Sequence, residues 1–371
     1  MNNAIKRKIV VLSNVEEGIY CFRLELIQRL LSEDFDVVLV APPGPYTQEF
    51  EEMGVRRVFV KLNRQGMNPV EDFGLLLKYI SILRKEKANA VLTYTIKPNL
   101  YGGLACRIMG VPYLANITGC GRIFQKQGIV RTLVEEMLTV ALKRARMVFF
   151  QNKENMSTFM NAKLTGDSPV TLLPGSGVNL NYFQLQAYPA EEENIRFLMI
   201  ARLCRDKGIF EFIKAAEAVR QKYSNVEFHV AGWNEDPQYQ QQAQRLIAEG
   251  YFYDHGVLSR QEIPDLICKC HAVVLPSYHE GMANVLLEAS ASGRPVLASD
   301  IAGCREIVDD GRTGFVFPPK NAAALAEKMC EFIELSHISR KEFGLNARRK
   351  VEEEFDRQHI VNKYLSVLGE I

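Results

Sequence analysis

The sequence predicts an α/β protein made of two domains, each a parallel sheet with helices on both faces. The length of 371 residues is more than one hydrophobic core usually fills, so two domains are expected. Short apolar runs alternate with helical patterns, which is the order that places parallel strands beneath crossover helices. The same plan occurs before and after residue 178 or so. We therefore expect two doubly wound domains, which bind ligands beyond the carboxyl ends of their strands.

The strands of the first half are predicted from short, mostly apolar runs, at 8–13, 36–41, 55–60, 90–94, 112–116, 147–150 and 169–173. Amphipathic helices between them are predicted at, for example, 68–86, 97–109 and 128–146. In the second half the predicted strands are 195–201, 226–231, 251–255, 271–275, 295–298 and 313–317. The predicted helices there are 207–222, 237–249, 260–270, 283–292, 303–308 and 321–335.

A linker is predicted where "LLPGSGVNLNYFQLQAYPAEEEN" follows a strand, because this stretch is rich in Pro, Gly and polar residues. It predicts a first domain at 1–178 and a second at 179–355. The last helical stretch, about 356–371, has no strand of its own. We expect it to pack back on the first domain.

Composition excludes several classes of protein. No apolar run reaches the roughly 18 residues that a membrane span needs, and the run 9–12 is too short for a signal-peptide core. We therefore expect a cytoplasmic protein. The eight cysteines are scattered through a long chain, which predicts reduced thiols.

Charge is distributed unevenly along the chain. Residues 1–178 hold 23 Lys and Arg against 16 Asp and Glu, a net charge of +7, whereas the remainder holds 22 against 28, a net charge of −6. A basic first half favours anionic partners such as a membrane surface, a phosphate-bearing substrate, or both. Chance segregation of solvated charges is the alternative. We expect no nucleic-acid partner.

A diphosphate site is predicted at "FLMIARLCRDKGIFEFI", where Arg202 and Lys207 lie between a strand and a helix. Arginine offers a fixed fork of donors and lysine a mobile point charge, and together they suit a diphosphate. The helix N-terminus would add backbone donors. Two surface cations flanking a turn are the alternative.

A second ligand-binding loop is predicted at "VVLPSYHEGMANVLLEA". Gly281 allows close approach of backbone to a ligand, and the free N–H groups of the following helix can hold phosphate or sugar oxygens. Glu288, in the first turns of this helix, can accept hydrogen bonds from ribose hydroxyls. Glu280 lies in the turn, where it can contact a sugar hydroxyl. Alternatively, Glu288 complements the helix dipole and Glu280 caps the turn.

At these residues the chain resembles the family 4 retaining glycosyltransferases of the GT-B fold, in which two Rossmann-like domains face a cleft. The family's E-x7-E pattern matches Glu280 and Glu288, and its R-x4-K pattern matches Arg202 and Lys207. The segment "SGRPVLASDIAGCREIVDDGRTGFVF" also follows the family. More narrowly, the chain is similar to bacterial transferases that build capsule, O-antigen or N-glycan precursors on undecaprenyl diphosphate.

The resemblance implies a function and a set of roles. A sugar (Gal, GalNAc, Glc or GlcNAc) would pass from a UDP-sugar to a lipid-linked saccharide, with no metal and no cofactor. Arg202, Lys207 and Glu280 would be catalytic, the two cations holding the diphosphate and Glu280 contacting the donor sugar. Glu288 would bind the ribose. The remaining donor-binding positions in the second domain would be Gly281, Met282, Ala283, Asn284, Gly256 and Val257.

The first domain departs from the family at one point. Many members have a histidine there that faces the donor sugar, but all six histidines of this chain lie after residue 228. Gly18 is a candidate for donor binding. The other candidates, for the acceptor or the donor sugar, are Thr95, Lys97, Asn99, Glu17, Asn116, Thr118 and Arg122. Lys97 is equally well explained as a surface lysine before a turn.

The helix predicted at 128–146 ends in Lys143, Arg144 and Arg146. These cations complement the negative end of the helix dipole. They also suit an anionic membrane surface, which a lipid-linked acceptor requires the enzyme to reach. We therefore expect peripheral association with the inner face of the cell membrane through the basic first domain.

Two other functions fit part of the pattern. A UDP-N-acetylglucosamine 2-epimerase of similar fold would need catalytic carboxylates or histidines in the first domain, and a non-catalytic nucleotide-sugar sensor would not need the full set of site residues. The chain has no G-x-x-x-x-G-K-[ST] motif and no complete G-x-G-x-x-G, which disfavours P-loop kinases and dehydrogenases. "DFD" at 34–36 reads as a turn, and "CKCH" at 268–271 lacks a second ligand pair.

Overall fold

The computed structural model describes residues 6–63, 68–119 and 128–371. The chain forms two compact units. Unit 1 contains residues 1–176 and 357–371, and unit 2 contains residues 177–356. Each unit is an α/β structure built on one parallel sheet.

Unit 1 has a sheet of seven strands among its described residues, in the order β3-β2-β1-β4-β5-β6-β7. The strands are β1 (Lys8–Leu12), β2 (Asp36–Ala41), β3 (Arg56–Phe59), β4 (Ala90–Tyr94), β5 (Tyr113–Ile117), β6 (Met147–Phe150) and β7 (Val170–Leu172). Central strands such as β1 and β4 are apolar and buried almost throughout. Strands buried on both faces are typical of parallel sheets covered by helices.

The helices of unit 1 cover both faces of this sheet, so that one hydrophobic cluster lies on each side. They are α1 (Glu16–Ser32), α2 (Thr47–Glu52), α3 (Pro69–Glu86), α4 (Gly103–Met109), α5 (Ile129–Leu142), α6 (Lys153–Asn161) and α13 (Arg357–Gly369). A π-helical turn at Pro98–Gly102 leads into α4.

Helix α13 belongs to unit 1 although it follows unit 2 in the chain. Its residues Ile360, Val361 and Tyr364 are buried in the same cluster as strand β1. Arg357 forms an ion pair with Glu25 of α1 at 2.9 Å. Unit 1 therefore completes its core with the last residues of the chain.

Unit 2 has a sheet of six parallel strands, in the order β10-β9-β8-β11-β12-β13. The strands are β8 (Ile195–Ile200), β9 (Val226–Ala231), β10 (Phe252–Asp254), β11 (Ala272–Leu275), β12 (Val296–Ser299) and β13 (Gly314–Phe317). The helices are α7 (Ile209–Lys222), α8 (Pro237–Ala248), α9 (Glu262–Lys269), α10 (Asn284–Ala291), α11 (Ala322–Glu334) and α12 (His337–Glu354).

The thirteen predicted strands are confirmed, each within one residue at either end. One predicted helix is wrong and one helix is additional. The segment 303–308 forms successive turns and no helix, and the backbone of Gly303 is left-handed with φ +81°. Helix α12 was not predicted, since its exposed residues are mostly charged and few apolar residues mark a buried face.

No helix in the described part of the chain is long and apolar enough to cross a bilayer. Within the described residues, no disulfide is formed by Cys106, Cys204, Cys268, Cys270, Cys304 or Cys330.

Arg294 is the largest fully buried side chain of the described residues. Its Nη2 donates hydrogen bonds to the carbonyl oxygens of Ala187 at 2.6 Å and Cys268 at 2.7 Å, and its Nη1 donates to Ser292 at 3.0 Å. Burial lowers the pKa of this guanidinium. Arg294 thus fastens the segment that enters unit 2 to the end of α9 and to the loop before β12.

Replacing Arg294 should destabilise unit 2. Arg294→Met keeps most of the volume but leaves several buried carbonyl groups without donors, which we expect to reduce the free energy of unfolding by about 3 kcal/mol. Urea unfolding measures the change. Arg349→Met, at an exposed position of α12, is the matched control and should change stability by less than about 0.5 kcal/mol. Equal stabilities of the two variants would contradict the role of Arg294.

Candidate functional site

The strand order of unit 2 reverses between β8 and β11, which are adjacent at the centre of the sheet. The loop after β8 leads to α7, and the loop after β11 leads to α10. Buried residues of α7 and α10 belong to different clusters on opposite faces of the sheet. The two loops therefore diverge, and a crevice at such a point is where open α/β sheets bind ligands.

Arg202 lies two residues after β8, and its side chain is about half exposed. Its Nη1 donates a hydrogen bond to Oε2 of Glu235 at 2.6 Å. This hydrogen bond raises the pKa of the guanidinium above its ordinary value. The backbone here is fixed, because the Leu203 N–H donates to the Trp233 carbonyl at 2.8 Å.

Lys207 ends a 3-10 turn, Arg205–Lys207, between β8 and α7. Its Nζ donates to Oε1 of Glu280 at 2.5 Å, and the hydroxyl of Ser277 donates to the same oxygen at 2.7 Å. The Lys207 and Glu280 side chains are only 19% and 12% exposed. Lys207, from the loop after β8, thus meets Glu280, from the loop after β11.

Gly208 allows these two loops to touch. It is left-handed, with φ +76°, and a Cβ at this position would lie 2.1 Å from the carbonyl oxygen of Pro276. The Tyr278 N–H donates to the Asp206 carbonyl at 2.9 Å across the same contact. A side chain at position 208 would therefore separate the loops that carry Lys207 and Glu280.

At Met282 and Ala283 the loop after β11 can present only its backbone to the crevice. Met282 and Ala283 are buried in the hydrophobic core, so only their main-chain groups can reach a ligand. Asn284 is the first residue of α10, and its side-chain oxygen is buried with no hydrogen-bond partner among the described residues. Glu288 lies four residues later, on the same helix face as Asn284. It is partly exposed.

Gly256 and Val257 follow the edge strand β10, two strands away from β8. The Gly256 carbonyl accepts a hydrogen bond from Gly232 N–H at 2.7 Å, which joins this loop to the loop after β9. Val257 is 65% exposed. The pair therefore lies at the same end of the sheet as Arg202 but toward its edge.

In unit 1, Gly18 and Glu17 lie in the first turn of α1, directly after β1, and Glu17 is exposed. Their neighbour Glu16 is buried and forms an ion pair with Arg57. It also accepts a hydrogen bond from Thr47 Oγ1 at 2.6 Å. Glu16 is therefore part of the framework of unit 1, and Glu17 and Gly18 remain as ligand candidates.

The loop after β4 contains Thr95 and Lys97. Thr95 is left-handed with φ +74°, and its hydroxyl is buried with no hydrogen-bond partner among the described residues. Strained backbone of this kind is common at functional sites. Lys97 donates to Asp72 at 2.6 Å and is mostly buried, so it is not the surface lysine that the alternative interpretation assumed.

Asn99 and Asn116 lie inside unit 1. Asn99 donates to the Asn116 carbonyl at 2.8 Å and accepts from the Thr93 hydroxyl at 2.6 Å. The Asn116 amide donates to the Thr93 carbonyl at 3.0 Å, and its oxygen accepts from Tyr364 of α13. These contacts use the side chains of both asparagines to join β4, β5 and α13.

The last two candidates of the first domain are Thr118 and Arg122. Thr118 follows β5 and is partly exposed, and Arg122 lies outside the described residues.

Glu235 and Ser277 were not among the predicted site residues, although each contacts one that was. Glu235 follows β9, the neighbour of β8, so the strand order brings it beside Arg202. In the sequence, the acidic run "NED" after an apolar strand is the signal that could have indicated Glu235.

Among the described residues no cluster of three His, Cys, Asp or Glu side chains is arranged to hold a metal ion.

Two Rossmann-type parallel sheets in one chain are the architecture of the glycosyltransferases of the GT-B class. Comparison with known proteins agrees. Residues 8–152 match the family described as Glycosyl transferase 4-like, and residues 183–350 match Glycosyl transferases group 1. The chain belongs to glycosyltransferase family 4.

Two curated relatives match over most of their length. The chain is 27% identical, over 98% of its own length and 99% of the relative's, to N,N'-diacetylbacillosaminyl-diphospho-undecaprenol alpha-1,3-N-acetylgalactosaminyltransferase of Campylobacter jejuni. It is 25% identical, over 85% of its length and 84% of the relative's, to UDP-Gal:alpha-D-GlcNAc-diphosphoundecaprenol alpha-1,3-galactosyltransferase of Escherichia coli.

Solved structures show the same fold. A glycosyltransferase from Rickettsia africae superposes with a TM-score of 0.81 and 20% identity, over 99% of this chain and 98% of that one. The Anabaena protein HepE in complex with UDP-glucose gives a TM-score of 0.78 and 18% identity, over 98% and 100% of the two chains.

The loop contact at Gly208 can be tested by substitution. Gly208→Ala would place a methyl group against the Pro276 carbonyl, so we expect transferase activity to fall more than about tenfold and stability by about 2 kcal/mol. Gly250→Ala is a matched control, because Gly250 is also left-handed, with φ +80°, but has nothing within 4 Å of the added Cβ. The free energy of unfolding of the Gly250→Ala variant should fall by only about 1 kcal/mol, and its transferase activity should be unchanged. Equal losses of activity would show that backbone strain alone, and not the loop contact, matters.

Proposed function

We propose that this glycosyltransferase transfers a hexose from a UDP-sugar to a saccharide carried on undecaprenyl diphosphate, in the synthesis of a cell-surface polysaccharide or glycan. The observation that carries the proposal is that the Lys207–Glu280 ion pair lies at the switch point of unit 2, where the Glu280 carboxylate also acts electrostatically on Arg202. The two relatives described above support it, since both names specify a diphospho-undecaprenol-linked substrate. The transferred sugar would be Gal, GalNAc, Glc or GlcNAc.

The proposed donor site uses the geometry of unit 2 directly. Arg202 and Lys207 bind the diphosphate and neutralise the charge that develops on it as the bond to the sugar breaks. Fixed positive charge of this kind usually contributes the largest catalytic effect, about 100- to 1000-fold for each donor. The departing phosphate oxygen takes the proton of the attacking hydroxyl on the same face of the sugar, which retains the anomeric configuration.

The carboxylates and backbone groups orient the rest of the donor. Glu280 contacts hydroxyls of the donor sugar once the diphosphate has taken over Lys207, and Glu288 accepts hydrogen bonds from the ribose. Main-chain groups from Gly281 to Asn284 line the sugar and phosphate pocket, and the loop with Gly256 and Val257 contacts the base. In unit 1, we assign Gly18 to donor binding, and Glu17, Thr95, Lys97 and Thr118 to contacts with the acceptor or the donor sugar.

Removing both cations tests the donor site. Arg202→Ala with Lys207→Ala should lower transfer more than about 1000-fold and weaken UDP binding at least about tenfold, measured with a panel of UDP-sugars and by calorimetry. The control removes two exposed cations of α12, Lys341→Ala with Arg349→Ala, and should leave both quantities unchanged. Activity within tenfold of wild type in the site variant would contradict the proposal.

We also propose that unit 1 binds the inner face of the cell membrane through the outer surface of α3. Val70, Phe73 and Leu77 are 81%, 60% and 52% exposed, and their spacing places them on one side of this helix. Lys78, Arg84 and Lys85 are also exposed, further along the helix. Exposed apolar residues beside cations are typical of helices that lie in an anionic membrane interface.

The α3 surface offers apolar contacts with the membrane in addition to the attraction that the positive net charge of the first domain predicts. Charge alone attracts a protein to anionic lipid, and basic residues contribute roughly 1 kcal/mol each near such a surface. Large apolar side chains can insert between headgroups and hold the protein there. A membrane-bound enzyme would meet a lipid-linked acceptor at the surface where that acceptor lies.

Vesicle binding tests the α3 surface. Phe73→Ser with Leu77→Ser should reduce binding to vesicles of phosphatidylcholine and phosphatidylglycerol at least about fivefold, and binding of the wild type should weaken as salt rises, because screening acts over about 8 Å at physiological strength. Ile338→Ser is the control, since Ile338 is 76% exposed but lies in unit 2. Wild-type levels of binding by the α3 variant would refute this surface.

A further inference from the structure

The loop after β9 places a carboxylate against the guanidinium of Arg202. Glu235 accepts a hydrogen bond from the Arg202 guanidinium at 2.6 Å. The Glu235 side chain is 35% exposed and the Arg202 side chain is 48% exposed. The backbone of Glu235 is held beside Arg202, because the Glu235 N–H donates to the Leu203 carbonyl at 3.1 Å. The residue beside it, Asp236, caps α8.

Both cations of the proposed donor site therefore face carboxylates. Lys207 is held by Glu280 at 2.5 Å, as Arg202 is held by Glu235. The two carboxylates differ in the partners open to them once a ligand is bound. Glu280 can turn to the donor sugar, as proposed above, whereas the proposed site offers Glu235 no second partner.

We infer that Glu235 competes with the diphosphate for Arg202 and so promotes release of the nucleoside diphosphate product. An incoming diphosphate must replace Glu235 on the guanidinium or bind within a few ångströms of its negative charge. Either event weakens binding. When the product leaves, Glu235 takes the guanidinium back.

The competition acts more strongly on the product than on the donor. A free terminal phosphate has a second ionisation near pH 6, so at neutral pH UDP carries roughly one more negative charge than a UDP-sugar. A nearby carboxylate repels the more highly charged species more strongly. Glu235 is thus expected to act as a positioning residue that lowers product affinity in particular.

The test is the affinity for UDP and for a UDP-sugar, measured by calorimetry on the full chain. Glu235→Gln removes the charge and keeps the shape, so UDP should bind about fivefold more tightly, with a smaller gain for the UDP-sugar and stronger product inhibition. In an Arg202→Ala background the gain in UDP affinity from Glu235→Gln should be smaller than in the wild type, because only the direct repulsion between Glu235 and UDP remains, and the difference isolates the Arg202–Glu235 pair. Should the Gln variant fold poorly, Glu235→Ala, which removes both the charge and the contact with Arg202, should tighten UDP binding in the same direction.

Glu217→Gln is the matched control, since Glu217 also pairs with an arginine, Arg245, on the surface of unit 2. It should leave UDP affinity unchanged. Unchanged or weaker UDP binding by Glu235→Gln would overturn the inference and would indicate that Glu235 orients Arg202 onto the diphosphate.

The inference rests on the proposed donor site, and the two can fail separately. If Arg202→Ala leaves UDP affinity unchanged, the donor site itself is wrong. If Arg202→Ala weakens UDP binding but Glu235→Gln does not tighten it, only the competing role of Glu235 is wrong.

Discussion

The contact between Lys207 and Glu280 holds together the site of unit 2. It joins loops that leave adjacent strands, β8 and β11, and then run to opposite faces of the sheet. Without a contact of this kind, the divergence that opens a crevice would also leave its cations and carboxylates far apart. The absence of a side chain at Gly208 permits the contact sterically, and Ser277 holds Glu280 in place.

The same pairing explains how the unit tolerates two cations at one edge of a sheet before a ligand arrives. A mostly buried ammonium group without a partner is costly, and Lys207 is only 19% exposed. Internal carboxylates remove that cost, but they become competitors of any anionic ligand. Affinity for a diphosphate is therefore a difference between two sets of ion pairs, and the more exposed Arg202 exchanges partners with the smaller change in solvation.

Most of the fold could be predicted from the sequence, and so could the two loops that meet at Lys207 and Glu280. Buried strands of a parallel sheet are marked by apolar runs, which is why the predicted strands agree with the structure to within a residue. Helix α12 was missed because charged residues cover most of its surface. Glu235 could not be assigned because it lies 33 positions from Arg202 and only the strand order brings the two together. Asn99 and Asn116 look like ligand contacts in the sequence, but they are hydrogen-bonded inside unit 1.

Unit 1 is interrupted by unit 2, and its core is closed by Tyr364 and its neighbours on α13. During synthesis, the amino-terminal sheet must therefore wait for α13 to leave the ribosome before its apolar surface is fully covered. Residues 177–356, by contrast, emerge as one uninterrupted stretch and have all of their own core. The carboxyl-terminal half thus has the means to fold first, and a chain that stops short of α13 would expose apolar surface for chaperones and proteases to recognise.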